Sequence, residues 1–215
     1  MSIAIEKPLI TRAAESDAGM LPVLRPSAMG RPDIADPGAL GLGAFALTTF
    51  MLSLANSGII PTAGAAVLGI ALFYGGIAQV AAGLWEFTKG NTFGATAFTS
   101  YGAFWLAFWW LDTNPEVAKS AGAAGVGAFL LAWTIFTVFM TVAAVKTSGL
   151  LLSVFVVLSL TFIALTIGKF TGITGITQLG GWLGLLTAAL AWYGAFAVVI
   201  NSTWKRVVLP VWPSK

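Results

Sequence analysis

Apolar residues fill six stretches of the chain, and short polar segments separate them. Each stretch has about the 20 residues that an α-helix needs to cross a bilayer. Every charged residue between positions 39 and 203 falls in a separating segment. The pattern predicts an all-α integral membrane protein with a six-helix transmembrane transport domain over residues 39–204. Its spans would lie at roughly 39–57, 62–85, 94–111, 122–145, 149–168 and 180–203.

The composition supports this prediction and excludes several classes of protein. Hydrophobic residues make up 58% of the chain and charged residues 9%, whereas about 25% of an ordinary soluble domain is charged. Cysteine and histidine are both absent, which excludes disulfides, thiolate and imidazole metal sites and Ser-His-Asp catalysis. We therefore expect neither an enzyme nor a metal or cofactor site. The basic residues are few and scattered, which argues against nucleic acid as a partner.

The distribution of basic residues predicts the orientation. With six spans, both termini lie on one side, and that side would hold 9 of the 11 Lys and Arg residues. Because basic residues concentrate in cytoplasmic loops, we expect both termini in the cytoplasm and the protein in the plasma (inner) membrane. Residues 1–38 carry nine charged and five proline residues and are predicted to form a disordered cytoplasmic tail. Residues 205–215 would form a short cytoplasmic C-terminal tail.

Two short sequence patterns occur twice. The run at 38–45 is echoed at 122–129, and the Tyr-Gly-Ala-Phe motif at 101–104 is echoed at 193–196. Two halves with an odd number of spans each would be inverted relative to each other, as in many transporters. We therefore hypothesise two inverted three-helix repeats. The alternative is coincidence between helices rich in glycine and alanine.

No charged residue lies near the middle of a predicted span, although an intramembrane charge is the usual mark of a pump or proton relay. The spans offer hydroxyl and amide groups instead, which suit a small polar solute or a weak anion that sheds part of its water. Gln79 is the clearest candidate, because a mid-span amide needs hydrogen-bonding partners. Its alternative role is a bond between helices. Asp36 and Asn91 stand where helix N-terminal caps are expected.

A long segment of spans 2 and 3 carries a family resemblance. It reads FYGGIAQVAAGLWEF, then KGNTFG, then TAFTSYGAFW, between residues 73 and 105. It resembles the acetate uptake transporter family, also described as succinate–acetate permease or YaaH-like. The resemblance implies a six-span bundle that assembles in membrane lipid as a homohexamer. A pathway through each subunit would carry acetate, related monocarboxylates and, in some members, succinate.

The resemblance also implies a narrow point formed by Phe45, Tyr101 and Leu160. At 1.5 Å per residue, Phe45 and Tyr101 would lie about 10 Å, and Leu160 about 16 Å, into the membrane from the cytoplasmic side. Phe45 and Leu160 are expected to form an apolar gate, and the Tyr101 hydroxyl to replace part of the carboxylate's hydration. The expected substrate-binding residues are Gln79, Thr96, Thr99, Asn91 and Asn56.

This sequence departs from the family pattern directly before span 1. The family shows Asn-Pro-Ala-Pro-Leu-Gly-Leu, whereas this chain has Asp36 for the Asn and Ala39 for the second Pro. Asp36 can still cap the helix, but it adds a negative charge at the predicted cytoplasmic mouth.

Alternatives stay open on the sequence alone. An anion channel and a proton symporter would each account for acetate transport. The low charge suits equally well a channel for a small neutral solute such as urea or a short amide. A further alternative is a membrane receptor or scaffold that does not transport, in which the N-terminal tail would be the functional segment.

Overall fold

The structure, a computed structural model, describes residues 34–214. Six helices in this part of the chain correspond one to one with the predicted spans, which confirms the all-α, six-helix prediction. Residues 1–33 of the predicted N-terminal tail, and Lys215, lie outside the described residues. The helices are α1 Gly38–Asn56, α2 Ala63–Lys89, α3 Thr92–Thr113, α4 Pro115–Ala144, α5 Gly149–Thr171 and α6 Thr174–Trp204.

Five of these helices are long and apolar enough to cross a membrane, and α3 is the exception. Its 22 residues provide the length, but its threonine, serine, tyrosine and tryptophan side chains lower its mean hydropathy. α3 packs against α2 and α4. A helix that is partly enclosed by other helices can carry such side chains, because lipid does not surround it completely.

The connections between helices are shorter than the sequence predicts. Breaks were expected at 112–119 and 169–178, yet only Asn114 separates α3 from α4, and only Gly172 and Ile173 separate α5 from α6. Charged residues mark where a chain leaves the bilayer, but a helix can continue past that point. In α4 the first turns are interrupted at Gly122, whose φ of 57° favours glycine. The apolar span begins after that residue, as predicted.

Asn91 is the N-cap of α3 as expected, whereas the N-cap of α1 is Pro37 and Asp36 lies one residue before it. Oδ1 of Asp36 accepts a hydrogen bond from the N–H of Gly38 at 2.9 Å, and Oδ1 of Asn91 accepts one from Gly94 at 3.1 Å. These bonds satisfy N–H groups that a first helical turn leaves without partners. α2 ends at Lys89, and the next residue, Gly90, adopts the left-handed conformation that is common after a helix, with φ of 75°. This tight turn brings the end of α2 beside the start of α3.

The six helices form a closed ring. Each helix packs against the next one in the sequence, and α6 packs extensively against α1. Glycines permit close approach between neighbours. A Cβ atom added at Gly102 of α3 would lie 2.8 Å from the backbone nitrogen of Val80 in α2. Small residues therefore let the helix backbones come together, as expected for membrane helices.

α2 contains one π-helical turn, over Phe73–Ala78. Such turns within α-helices are frequent at functional sites. This one ends directly before Gln79. Within it, Gly75 approaches α1 so closely that an added Cβ would lie 2.5 Å from Oγ1 of Thr48. The turn therefore sets the rotation of Gln79 relative to the first half of α2.

Residues 207–214, here called the C-terminal strap, fold back onto the bundle. The side-chain amide of Asn201 in α6 donates to the carbonyl of Leu209 at 2.8 Å and accepts from the N–H groups of Val208 at 2.7 Å and Leu209 at 3.0 Å. The carbonyl of Trp212 accepts a bond from the N–H of Gly149 at 2.7 Å. The strap therefore occupies the N-terminus of α5, and the described part of the predicted C-terminal tail is docked.

The echoed tyrosines have different surroundings. The Tyr101 hydroxyl is buried and shares a hydrogen bond with Oγ1 of Thr137 at 2.8 Å. The Tyr193 hydroxyl donates to the carbonyl of Pro210 in the strap at 2.9 Å. The echo in sequence is therefore not an echo in contacts at this position, and the two inverted repeats stay a prediction.

Candidate functional site

Two cavities lie inside the helix ring. The narrow cavity has a volume of about 180 Å³ and is lined mainly by the first half of α1, the end of α2, the start of α3 and the first half of α5. The wide cavity has a volume of about 530 Å³ and is lined mainly by the second halves of α1, α3 and α5 and by α4. Phe45 and Leu158 line both cavities. These two side chains form the boundary between them, here called the constriction.

Aromatic rings surround the constriction. The ring centroids of Phe45 and Tyr101 lie 5.6 Å apart, and those of Tyr101 and Phe155 lie 6.2 Å apart. Tyr101 lines the narrow cavity. The structure thus brings together two of the three residues that the resemblance assigns to the narrow point. It also adds Phe155, which the sequence analysis did not identify.

The hydroxyl of Tyr101 is already engaged. Oγ1 of Thr137 donates to the carbonyl of Trp133 at 2.7 Å, so it accepts the 2.8 Å bond from the Tyr101 hydroxyl. A hydroxyl has one proton to donate, and that of Tyr101 therefore points toward α4. The Tyr101 side chain lines the narrow cavity while its proton is engaged with Thr137. This arrangement differs from the expected role of a free donor to a carboxylate.

The structure corrects the third residue of the expected gate. Leu160 lines neither cavity and is 48% exposed on the outside of α5, whereas Leu158 is 4% exposed. Two steps along an α-helix rotate the side chain by about 200°. The two leucines therefore occupy opposite faces. Depth along the helix was estimated from the sequence, but depth does not determine the face.

Gln79 places an amide in the narrow cavity. Its side chain is 1% exposed, and neither its nitrogen nor its oxygen has a hydrogen-bond partner among the described residues. The structure therefore contradicts the alternative of a bond between helices. A buried polar group without a partner costs on the order of 1–3 kcal/mol. A polar ligand that reached Gln79 would recover part of that cost.

Three charged side chains line the narrow cavity. The buried carboxylate of Glu86 accepts a hydrogen bond from Nδ2 of Asn91 at 2.9 Å. Asp36 and Lys89 form a salt bridge, with Oδ2 and Nζ 2.9 Å apart. Asn91, expected to bind substrate, does line this cavity. Its amide, however, already caps α3 and holds Glu86.

Two of the expected substrate-binding residues lie off both cavities. Thr96 and Thr99 line neither. Ala97 and Tyr101, four residues apart, lie on the cavity face of α3, and the threonines lie on other faces. Thr99 instead packs against α2, where a Cβ added at Gly83 would lie 2.5 Å from its backbone nitrogen.

The wide cavity contains polar groups that the sequence analysis did not select, together with Asn56, which it did. Oγ1 of Thr49 and Nε1 of Trp105 are buried without partners among the described residues. Helical spacing counted from Phe45 would have identified the α1 side of this cavity. Its residues there are Phe45, Thr49, Leu52, Ser53 and Asn56.

Comparison with known proteins identifies the family. A sequence model of the GPR1/FUN34/yaaH family matches residues 22–214. The chain belongs to the GPR1/FUN34/yaaH family. Its membership, together with the five long apolar helices, makes it a multi-pass membrane protein. The resemblance found in spans 2 and 3 is thereby confirmed.

Relatives of this GPR1/FUN34/yaaH protein have names that refer to transport. The chain is similar to the succinate-acetate/proton symporter SatP of Escherichia coli strain K12, with 42% identity over 185 residues that cover 85% of this chain and 98% of that protein. It is also similar to ammonia transport outward protein 2 of Saccharomyces cerevisiae, with 43% identity over 175 residues that cover 76% of this chain and 61% of that protein.

A solved structure, described as that of the bacterial acetate channel SatP, has the same fold. It aligns with a TM-score of 0.78 and 42% identity, and the alignment covers 83% of this chain and 99% of that one. The Escherichia coli relative is thus called a symporter, and the protein of the solved structure is called a channel. The names agree on acetate and differ on the mechanism.

Proposed function

We propose that this protein transports acetate and related short-chain carboxylates along a pathway formed by the two cavities, with succinate as a further substrate to test. The observation that carries the proposal is the buried amide of Gln79, which has no partner among the described residues and lines a cavity beside an apolar constriction. The relatives named for acetate support the choice of substrate.

The chemistry of a carboxylate sets what such a pathway must do. Moving a bare carboxylate into hydrocarbon costs tens of kcal/mol by Born estimates. The pathway must therefore replace part of its hydration, or take it together with a proton. The side-chain N–H groups of Gln79 can donate to the carboxylate oxygens. The apolar constriction formed by Phe45 and Leu158 can contact the methyl group.

We propose a transporter without enzymatic activity, because relatives that are 42% identical to this chain are named as a symporter and as a channel. The outer surface of the bundle carries large exposed apolar side chains, among them Phe73 and Phe139, which suit lipid or neighbouring subunits. We propose a homohexamer in the plasma membrane with both termini in the cytoplasm, on the basis of the resemblance and of the basic residues.

The deciding experiment is uptake of labelled acetate into proteoliposomes, with and without an imposed proton gradient and a membrane potential. Empty vesicles provide the background. Uptake that rises with inward proton drive beyond this background indicates a symporter, and Glu86 is then the first proton site to test. Flux that follows only the acetate gradient and the potential indicates an anion channel. No protein-dependent flux under any condition would contradict the proposal.

Tyr101→Phe tests the hydroxyl at the constriction. Because the proton of Tyr101 is engaged with Thr137, we expect acetate uptake to fall by about threefold or less, the range of a neutral hydrogen bond of about 0.5 kcal/mol. A loss of more than tenfold in a protein that still elutes as the native oligomer would show that the hydroxyl turns toward the substrate during transport.

A second candidate function rests on the yeast relative named for ammonia transport. Ammonia is a small neutral solute, the class of substrate that the composition allowed. Competition separates the two functions. Unlabelled acetate well above half-saturation should reduce labelled acetate uptake, whereas ammonium or urea at the same concentration and pH should not.

A further inference from the structure

An ion pair between Asp36 and Lys89 lines one end of the narrow cavity, here called the mouth. One member of this pair, Asp36, determines the charge that an entering anion meets. We propose that Asp36 limits the entry of carboxylates into the narrow cavity by neutralising Lys89, and that Asp36 therefore sets the apparent affinity for acetate. The inference rests on the proposed acetate transport. It concerns a residue at which this chain departs from the pattern of the acetate uptake transporter family.

Asp36 is held in place from two sides. Its Oδ1 accepts a hydrogen bond from the N–H of Gly38 at the start of α1, at 2.9 Å. Its Oδ2 lies 2.9 Å from Nζ of Lys89 at the end of α2. An ordinary surface ion pair must order two free side chains, whereas this carboxylate is already positioned by its hydrogen bond from Gly38. The pair therefore joins α1 to α2 across the mouth.

The charges at this mouth do not favour an anion. The charged residues that line the narrow cavity are two acidic residues and one basic residue, Asp36, Glu86 and Lys89. The two acids flank the same glycine, because a Cβ added at Gly38 would lie 3.0 Å from Oδ1 of Asp36 and 3.5 Å from Oε1 of Glu86. A carboxylate that approaches Lys89 thus finds the amine already paired with Asp36.

Asp36 and Lys89 are 45% and 35% exposed, so water and salt screen this pair and the effect of one charge is modest. A positive charge at a cleft raises the local concentration of anions and their rate of entry. With Asp36 neutral, Lys89 would lose its partner and would supply that attraction. Asn at this position keeps an oxygen that can accept the bond from Gly38, so the start of α1 is preserved while the charge is removed.

The experiment measures initial uptake of labelled acetate into proteoliposomes made with full-length protein, at acetate concentrations from far below to above half-saturation. For Asp36→Asn we expect a 3- to 10-fold lower apparent KM at low ionic strength, at or below the lower end of the range for electrostatic steering because one exposed charge is changed, and a maximal rate within twofold of the unmodified protein. The gain should disappear in about 1 M salt, where the Debye length is about 3 Å.

Three further variants control for other causes. Glu116→Gln removes the same charge from an exposed residue that lines neither cavity and should leave the KM unchanged. Asp36→Glu keeps the charge and should also leave it unchanged. In the double variant Asp36→Asn with Lys89→Gln, the gain should be absent, because the amine that attracts the anion is gone.

The outcomes separate the inference from the function on which it rests. An unchanged KM in Asp36→Asn, an equal gain in Glu116→Gln, or a gain that persists without Lys89 would each overturn the role of Asp36 while acetate transport stands. A lower maximal rate without a salt-dependent change in KM would show a merely structural ion pair and would also overturn it. Absence of acetate flux in the unmodified protein would remove both proposals.

Discussion

The narrow and wide cavities are lined by opposite halves of α1, α3 and α5, yet they differ in how their polar groups are arranged. In the narrow cavity, three charged groups and the amide of Gln79 share about 180 Å³, and two of the charges are paired. In the wide cavity, polar groups are spread over about 530 Å³. A small solute can keep most of its water in the wide cavity but not in the narrow one. We infer that selection is concentrated in the narrow cavity and at the constriction.

The largest effect is expected for Gln79→Leu, which removes the amide of the narrow cavity at similar volume. A hydrogen bond to a charged group contributes about 1.5–3 kcal/mol, so acetate uptake should fall by about 10- to 100-fold. The chain has one other glutamine, Gln178, which is exposed and lines neither cavity. Gln178→Leu is therefore the matched control and should retain full uptake. Equal uptake by the two variants would contradict the inference that selection is concentrated in the narrow cavity.

The constriction is tested by a pair of leucines. Leu158→Ala should widen the boundary between the cavities, so that uptake of butyrate relative to acetate rises by about tenfold, the range that one or two methylene groups decide in an apolar pocket. Leu160→Ala should leave this ratio unchanged, because Leu160 faces outward. The measurement is uptake of each acid by the same proteoliposome preparation. If Leu160→Ala alone changed the ratio of butyrate to acetate uptake, Leu160 would be the gate residue, as the resemblance implies.

Smaller effects are expected in the wide cavity. Thr49→Val and Trp105→Phe each remove a buried donor that has no partner among the described residues. Neutral hydrogen bonds contribute about 0.5–1.5 kcal/mol, and water can replace them in a larger space. Acetate uptake should therefore fall by about two- to fivefold in each variant. Losses as large as that of Gln79→Leu would show that the wide cavity selects substrate as strongly as the narrow one.

The smallest effect on transport is expected from the C-terminal strap. Asn201→Ala removes three hydrogen bonds to Val208 and Leu209 but touches neither cavity. The midpoint of thermal unfolding should fall by about 2–6 °C, with acetate uptake within twofold of normal. Ser202→Ala, at the neighbouring exposed position, serves as the control. A large loss of uptake would extend the functional region to the strap.

Hydropathy predicts the number of helices and their approximate bounds, because the bilayer fixes the length of a span. The family resemblance, not hydropathy, implied that Phe45 and Tyr101 lie close together. Leu160, assigned by the same resemblance, and Thr96 and Thr99, chosen for their hydroxyl groups, lie off both cavities. Which face of a helix lines a cavity depends on how the helices pack, and in a membrane protein both lipid-facing and inward faces are apolar. The helical spacing of Phe45, Thr49, Leu52, Ser53 and Asn56 along α1 is the local signal that marks a cavity face.

The roles of polar groups were harder to predict than their positions. Gln79 and Asn91 both line the narrow cavity, but the amide of Asn91 is used within the structure and that of Gln79 is free among the described residues. The Tyr101 hydroxyl was expected to donate a hydrogen bond to the substrate, but it donates to Oγ1 of Thr137 instead. Such differences depend on partners distant in sequence, here 36 residues away, which no local pattern reveals.

The π-helical turn over Phe73–Ala78 holds about one residue more than an α-helical turn, because its hydrogen bonds join residues five apart instead of four. Each residue of an α-helix adds about 100° of rotation, and the wider turn absorbs the rotation of its extra residue. Loss of one codon within the turn would close it to regular α-helix and leave Gln79, Glu86 and Lys89 on the narrow cavity. The same loss between Gln79 and Glu86 would turn Glu86 and Lys89 away from that cavity. For this stretch of the gene, an in-frame deletion of one residue would therefore be tolerated better than the same deletion a few codons later.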